Sequence, residues 1–237
     1  EGGFVQILGA NINCGYRYNI SVGDGSRVAG VNGALQNGRI VNVSDYCNVS
    51  TGCSSSGNYI HHNTVFVPSG IRPEIVFQVG SGDTDFYNNL IEVGGGSPAL
   101  TTSVGATGVT LDAQKNLFYP AAQFSLVPAL SSDALTVDPQ LRSAGADDPE
   151  MYKLLPGSPA KSSGVLIGAG QDYFGFPVAA DAAPHIGAYN GDETFSEVSL
   201  PTLAPSLRVL MLLILCGIGV RLSSPGRSAE RSSSAAG

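Results

Sequence analysis

Three basic side chains, His62, Arg72 and Lys115, are candidates for taking a proton from carbon or for steadying the anion that results. His61, directly before His62, is a fourth. Abstracting a proton next to a sugar carboxylate also calls for a cation to neutralise that carboxylate. Asp83 and Asp85, with Glu74 and Asp112 behind them, are the candidate Ca²⁺ ligands for such a step. Hydrolysis of a glycosidic bond would instead need two carboxylates facing one groove. Asp83 and Asp85 would share a face if extended, yet S-G-D-T-D-F reads as a turn entering the next strand. Gln36, His62, Asn88 and Lys115 stand at equivalent places along the chain and form a polar stripe, a candidate contact surface for carbohydrate. Tyr59 and Tyr87, with Phe86 and Tyr119 nearby, would supply stacking platforms beside it. No nucleotide loop, zinc motif or nucleophile elbow is present, so the expected cofactor set is empty, with Ca²⁺ entering only for a lyase.

Each member of the stripe directly precedes an asparagine that recurs along the chain. This asparagine returns at Asn11, Asn37, Asn63, Asn89 and Asn116, spaced 26, 26, 26 and 27 residues apart, each time beside a short apolar run. Those runs are rich in β-branched and aromatic residues and are separated by Gly, Ser, Asn, Asp and Pro, which predicts strands rather than helices. A unit of this length cannot bury its apolar face alone and must stack on its neighbours. The pattern predicts an all-β parallel solenoid over residues 1–119, with coils of 26–27 residues built from three short strands. Equivalent asparagines would then lie above one another and bond along the stack, a structural ladder with no catalytic role.

Composition bounds the partners. The chain has 237 residues, 31 glycines, no tryptophan and a net charge of -7, and Lys115, Lys153 and Lys161 are its only lysines. Without clustered Lys and Arg it does not fit nucleic acid. Of four cysteines, Cys47 and Cys53 bracket a polar loop and are candidates for a small disulfide, whereas Cys14 reads as a small core residue and Cys216 lies in an apolar tail. The first residue is Glu1 and Phe4 to Leu8 already reads as a strand, so the stack is expected to continue upstream.

After Tyr119 the chain changes character. Asp138-Pro139-Gln140-Leu141 comes first, then Y-K-L-L-P-G-S-P-A from Tyr152 to Ala160. Asp172 to Pro177 reads D-Y-F-G-F-P, and Ile186 to Tyr189 reads I-G-A-Y. This order resembles the closing segment of bacterial right-handed parallel β-helix surface proteins of the pectate-lyase-like superfamily, and within it the choice-of-anchor Q domain proteins. Lys161 and Ser162 stand where that pattern usually has Ile and Asp, and Asn190 where it usually has Glu. Residues 120–190 are expected to lay an irregular strand along the end of the helix and cap its open edge.

An acidic linker, 191–199, leads to the tail, 200–237. Its apolar run, 209–220, has 12 residues, and the longer stretch 200–222 is long enough for a span but includes Arg208. Arg221, Arg227 and Arg231 come after the run, which would hold that end in the cytoplasm and place the coils outside. Pro201, Thr202 and Leu203 before the run resemble the sorting motif of the IPTL-CTERM class, which implies a membrane helix handled by envelope sorting machinery.

The residues and these resemblances together imply a secreted protein anchored in a bacterial cell envelope by its C-terminus, presenting a carbohydrate-binding or adhesive face. The alternative is a polysaccharide lyase or glycoside hydrolase whose main catalytic coils lie upstream of Glu1. Fold alone does not license activity.

Overall fold

The computed structural model describes residues 3–26, 38–47 and 52–192, all within one compact unit. Gln36, Asn37, the linker beyond Asp192, and the tail with Pro201, Thr202, Leu203 and 200–222 lie outside the described residues. Among the described residues no helix is long and apolar enough to cross a membrane.

Four coils each give one strand to each of three parallel sheets, which makes the fold a parallel β-helix. The first coil holds β1 (Val5–Ile7), β2 (Gly15–Arg17) and β3 (Ile20–Val22), and the second β4 (Arg39–Val43), β5 (Ser55–His61) and β6 (Thr64–Val67). The third holds β7 (Glu74–Phe77), β8 (Gly82–Tyr87) and β9 (Leu90–Val93), and the fourth β10 (Leu100–Val104), β11 (Val109–Gln114) and β12 (Leu117–Tyr119). The first sheet runs β1-β4-β7-β10 and gains a fifth strand, β13 (Phe124–Ser125). The second runs β2-β5-β8-β11, and the third β3-β6-β9-β12.

Side chains alternate across each strand, so every coil sends one set inward. Val41, Val43, Ile75 and Phe77 of the first sheet meet Ile60 and Phe86 of the second and Val65, Ile91 and Phe118 of the third, all essentially without solvent contact. Burying a side chain of this size contributes about 1.5–3 kcal/mol. The repeated apolar run is therefore what holds one coil on the next.

The asparagine ladder exists, but its first rung is not the expected one. It runs Asn19, Asn63, Asn89, Asn116, with amide Nδ2 to Oδ1 distances of 3.0, 2.9 and 3.0 Å. Asn89 is saturated: its Oδ1 accepts from Asn63 N (3.3 Å) and Nδ2 (2.9 Å), and its Nδ2 donates to Ile60 O (2.9 Å) and to Asn116 Oδ1. Asn63 is used in the same way, with Asn19 above and the Tyr16 carbonyl beside it. Asn11 is no rung. It sits in the turn between β1 and β2, where its Nδ2 donates to the Leu8 carbonyl. The cause is an irregular second coil. Val5 pairs with Val41, 36 residues on, and Gly15 with Tyr59, 44 residues on, whereas later pairs such as Thr64 with Leu90 are 26 apart. The added residues fall between β3 and β4 and in the loop before β5. In that loop Cys47 and Cys53 form a disulfide, with Cα atoms 5.9 Å apart. Cys14, read as a core residue, is only half-buried, at the mouth of β2 with its N–H on Asn58 Oδ1.

Past β12 the chain finishes the stack and then doubles back. The short helix α1 (Pro128–Ser131) tucks Leu130 into the end of the core. The main chain of Leu135 bonds Asn116 O and Phe118 N at 2.8 Å each, which pairs the exposed edge of β12. The rest of the segment covers a flank rather than the end. It lies on the outward side of the third sheet, where Leu90 and Leu117 join Leu154, Ala160, Ile186 and Tyr189 in a second core. Gly187 and Ala188 lie directly on that sheet, their N–H groups on Asn88 O (2.8 Å) and Thr64 Oγ1 (2.9 Å). At Gly187, with φ of 100°, a Cβ would stand 2.8 Å from Thr64 Oγ1, so only glycine permits the approach.

Two buried charges knit this flank. Asp172, between the two residues of β14 (Gly170–Gln171) and β15 (Pro177–Val178), accepts from Phe174 N and Phe176 N through Oδ1 and from Asn190 N through Oδ2. That explains why the aspartate opens D-Y-F-G-F-P: it closes the turn and ties it to the residue after I-G-A-Y. Lys153 holds its ammonium 4.6 Å from the Phe174 ring centre and 3.0 Å from Glu150 Oε2, with Phe176 and Tyr189 closing the cage.

Candidate functional site

The outward face of the second sheet is the one long wall among the described coils that combines aromatic rings with charged groups. Alternation in β8 turns Asp83, Asp85 and Tyr87 outward and buries Thr84 and Phe86, so the run from Gly82 to Tyr87 is a strand in place of the turn expected at Asp83 and Asp85. The same rule places Tyr59 and His61 of β5, Arg17 of β2, and Thr110, Asp112 and Gln114 of β11 on this side. Strand pairing fixes two columns. Gly15, Tyr59, Asp85 and Asp112 form one, and Arg17, His61, Tyr87 and Gln114 the other.

Local contacts orient the rings. Tyr59 lies across Gly15, where any side chain would overlap its ring, and stacks along His61 at a centroid distance of 5.4 Å. The ring thus fills the space a side chain at position 15 would take, and Tyr59 remains partly exposed. Tyr87 donates its hydroxyl to Asp112 Oδ2 at 2.6 Å, and Gln114 Nε2 donates to Asp112 Oδ1 at 2.9 Å. Burial, the bond to Asp112 and the Asp85 carboxylate all push the Tyr87 phenol up, and the Tyr87 bond holds Asp112 down. Asp83 is spoken for by the Gly57 N–H, at 2.6 Å.

The polar stripe lies at the corner between the second and third sheets. Tyr18, His62, Asn88 and Lys115 are its members, each just before a ladder asparagine, with φ of 53, 53, 52 and 50°. A left-handed conformation costs a side chain about 1–2 kcal/mol, and the hydrogen bonds of the adjoining asparagine offset it. Tyr18 is the first described member, and Gln36 lies outside the described residues. His62 and Asn88 have no solvent exposure, because the closing segment lies on them: Asn88 Oδ1 accepts from Val165 N (2.9 Å) and its Nδ2 donates to Val165 O (2.9 Å). Neither side chain can therefore contact a glycan in this arrangement.

The amide of Asn88 also sets a proton. With Oδ1 fixed by Val165 N–H, Nδ2 must donate to His62 Nε2 (3.1 Å), which leaves the His62 proton on Nδ1, facing His61 Nδ1 at 3.0 Å. Burial lowers both imidazoles, His61 to about 4 with help from Arg17, and His62 to about 3 with help from His61 and His185. The Tyr18 ring stacks on His62 at 4.7 Å, and burial raises its phenol to about 12. On the covered side of the third sheet, burial and then Asp138 raise Glu92 to about 7.

The remaining candidates do not assemble. His62 and Lys115 lie before the third sheet and Arg72 beyond it, ahead of β7, so base and charge stabiliser do not converge. The Lys115 N–H is capped by Asp133 Oδ1 at 3.0 Å. Glu74 pairs with Arg39 at 2.9 Å on the first sheet, apart from Asp83, Asp85 and Asp112 on the second. Among the described residues no three His, Cys, Asp or Glu side chains could share a metal ion. Arg17, Thr110 and Gln114 were not among the expected contacts. The polar alternation of V-T-L-D-A-Q would have exposed Thr110 and Gln114, whereas Arg17 depends on the long second coil and has no signal of its own.

No protein-family model matches the chain, and neither a curated protein nor a solved structure does.

Proposed function

We propose that the chain is a secreted, right-handed β-helix surface protein that uses the outward face of the second sheet as a carbohydrate-contacting wall. The observation that carries this reading is the Tyr59 ring over Gly15, with Tyr87 in the neighbouring column, among Asp85, Asp112, Arg17 and Gln114. A flat ring stacks on the C–H face of a sugar, and carboxylates and an amide beside it bond hydroxyls. The surrounding carboxylates favour neutral over uronic glycans on this wall. Resemblance to choice-of-anchor Q proteins supports the surface role, and the tail's resemblance to the IPTL-CTERM class supports anchoring through residues 200–222 and handling by envelope sorting machinery. A lyase or hydrolase would draw its base and acid from residues outside the described coils.

The test is a glycan array probed with the chain ending at residue 194, followed by titration of hits against Tyr59→Ala, Tyr87→Ala and Gly15→Val. Loss of binding of about tenfold or more in each, with thermal stability kept for the tyrosine variants, is expected. Neutral and uronic polysaccharides are incubated in parallel with and without Ca²⁺. New unsaturated ends or reducing ends would replace the passive wall by an enzyme.

A further inference from the structure

A second site is built into the closing segment, away from the tyrosine wall. A cleft of about 330 Å³ opens between β15 and the turn before I-G-A-Y, with Phe176, Pro177 and Pro184 among its walls and His185 and Asp192 among its polar groups. That volume matches the small end of ligand pockets.

His185 is 5% exposed. Its Nδ1 accepts from the Ser162 N–H at 3.0 Å, so the imidazole proton is on Nε2. That N–H is buried and makes no hydrogen bond of ordinary geometry, although the Asp192 carboxylate and the Gly191 main chain stand close enough to favour its protonated form. The nearest acid, Asp192 Oδ1, stands at 3.6 Å, beyond bonding distance. Asp192 is engaged elsewhere: the Lys161 ammonium, whose side chain is 15% exposed, holds the same oxygen at 3.1 Å while the aspartate itself remains 84% exposed. Burial lowers the His185 imidazole, and the Asp192 carboxylate acts against that shift. A neutral donor and a largely buried ammonium thus converge where one carboxylate oxygen already sits, held by one of the two.

We propose that this cleft is a receptor for a small carboxylate, which displaces Asp192 and takes hydrogen bonds from both Lys161 Nζ and His185 Nε2 while its body lies against Phe176 and the two prolines. Asp192 is the internal competitor that keeps the ammonium paired when the site is empty. A terminal uronate and a short-chain organic acid share this chemistry. The cleft is independent of the tyrosine wall, whose failure to bind would leave it standing.

The experiment is an NMR titration of the chain ending at residue 194, following the His185 imidazole, with glucuronate, acetate and glucose as probes. Glucuronate or acetate is expected to move the His185 signals and raise its pKa, and glucose to do neither. An Asp192→Asn variant should bind the carboxylate about tenfold more tightly, since the competitor is gone. Lys161→Met should weaken it about tenfold, and Lys161→Arg should restore most of the loss. A shift with both acids assigns the carboxylate alone as the recognised group, and a shift with glucuronate only assigns the uronate. Tyr59→Ala should leave the titration unchanged. The proposal is overturned if glucose binds as well as glucuronate, if Asp192→Asn fails to tighten binding, or if no carboxylate moves His185 at about 50 mM, an affinity too weak for a built site.

Discussion

The second and third sheets come from the same coils, joined by the same two-residue corner, yet one wall faces solvent and the other lies beneath a folded segment. The difference rests on what each strand turns outward. β8 and β11 present Asp83, Asp85, Tyr87, Thr110, Asp112 and Gln114, while β9 and β12 present Leu90 and Leu117. A coil repeat fixes the backbone and the interior, and the outward residues then decide which wall is free to bind and which must be covered. The corner belongs to both, and so its failure should be the most damaging.

Asn89→Ala removes four side-chain hydrogen bonds from that corner: the Asn63 N–H and the Ile60 carbonyl lose the bonds the amide gave them, and the Asn116 amide oxygen is left with the Asn89 N–H alone. It should cost about 4 kcal/mol in denaturant unfolding, against less than about 1 kcal/mol for Asn11→Ala. Equal effects would show that Asn11 is a rung after all. Next in size, Leu90→Ala should cost about 3 kcal/mol, and a double-mutant cycle with Ile186→Ala should give a coupling of about 1 kcal/mol. Asp85→Ala, across the corner, should stay within about 0.5 kcal/mol. If Leu90 proved as tolerant as Asp85, the covered wall would not be held by its apolar contacts.

The effects of pH on the two walls oppose one another. His61 and His62 are lowered in the folded state, so the unfolded chain binds more protons between about pH 3 and 6.5, and their contribution to stability is lost as pH falls through that window. Glu92 is raised to about 7, so its contribution is present below its usual pKa and is lost as pH rises from 4.5 towards 7. His62→Asn, which puts at that corner the residue found at position 88, should flatten the acid limb. Glu92→Gln should stabilise at pH 8 by on the order of 2 kcal/mol more than at pH 4. Stability profiles unchanged by either variant would remove both groups from the balance.

Much of the architecture could be read from the residues. Runs such as T-V-F-V, L-I-E-V and L-F-Y, each behind an asparagine, place β6, β9 and β12 and three of the four rungs. The first coil could not be aligned, because Asn11 keeps the repeat spacing without being a rung, while the true interval, from Asn19 to Asn63, is lengthened by added residues whose number no pattern fixes. The stripe is legible in its register but not in its exposure. Its polar residue types describe a left-handed turn equally well whether solvent or Val165 lies above it. A better clue was in the outward positions, since leucine at both 90 and 117 marks a wall that something must cover. The tyrosine wall was only half legible for a related reason: Asp83 and Asp85 look like turn residues until the alternation of T-D-F-Y is traced to its end.

The ladder also gives the molecule a direction. Each of its three links runs from the amide nitrogen of the earlier coil to the amide oxygen of the later one, from Asn19 to Asn116. The column is therefore a row of dipoles aligned head to tail, each polarising the next, with its oxygen pole at the first coil and its amino pole at the fourth. Asp133, whose carboxylate takes the Lys115 N–H beside Asn116, sets a negative charge at the amino pole, as an acidic residue does at the start of an α-helix. A stack with this polarity is not the same from its two ends. A coil inserted between β9 and β10 would find matching poles on both sides, whereas one added after Asn116 would have to displace the charge that terminates the row.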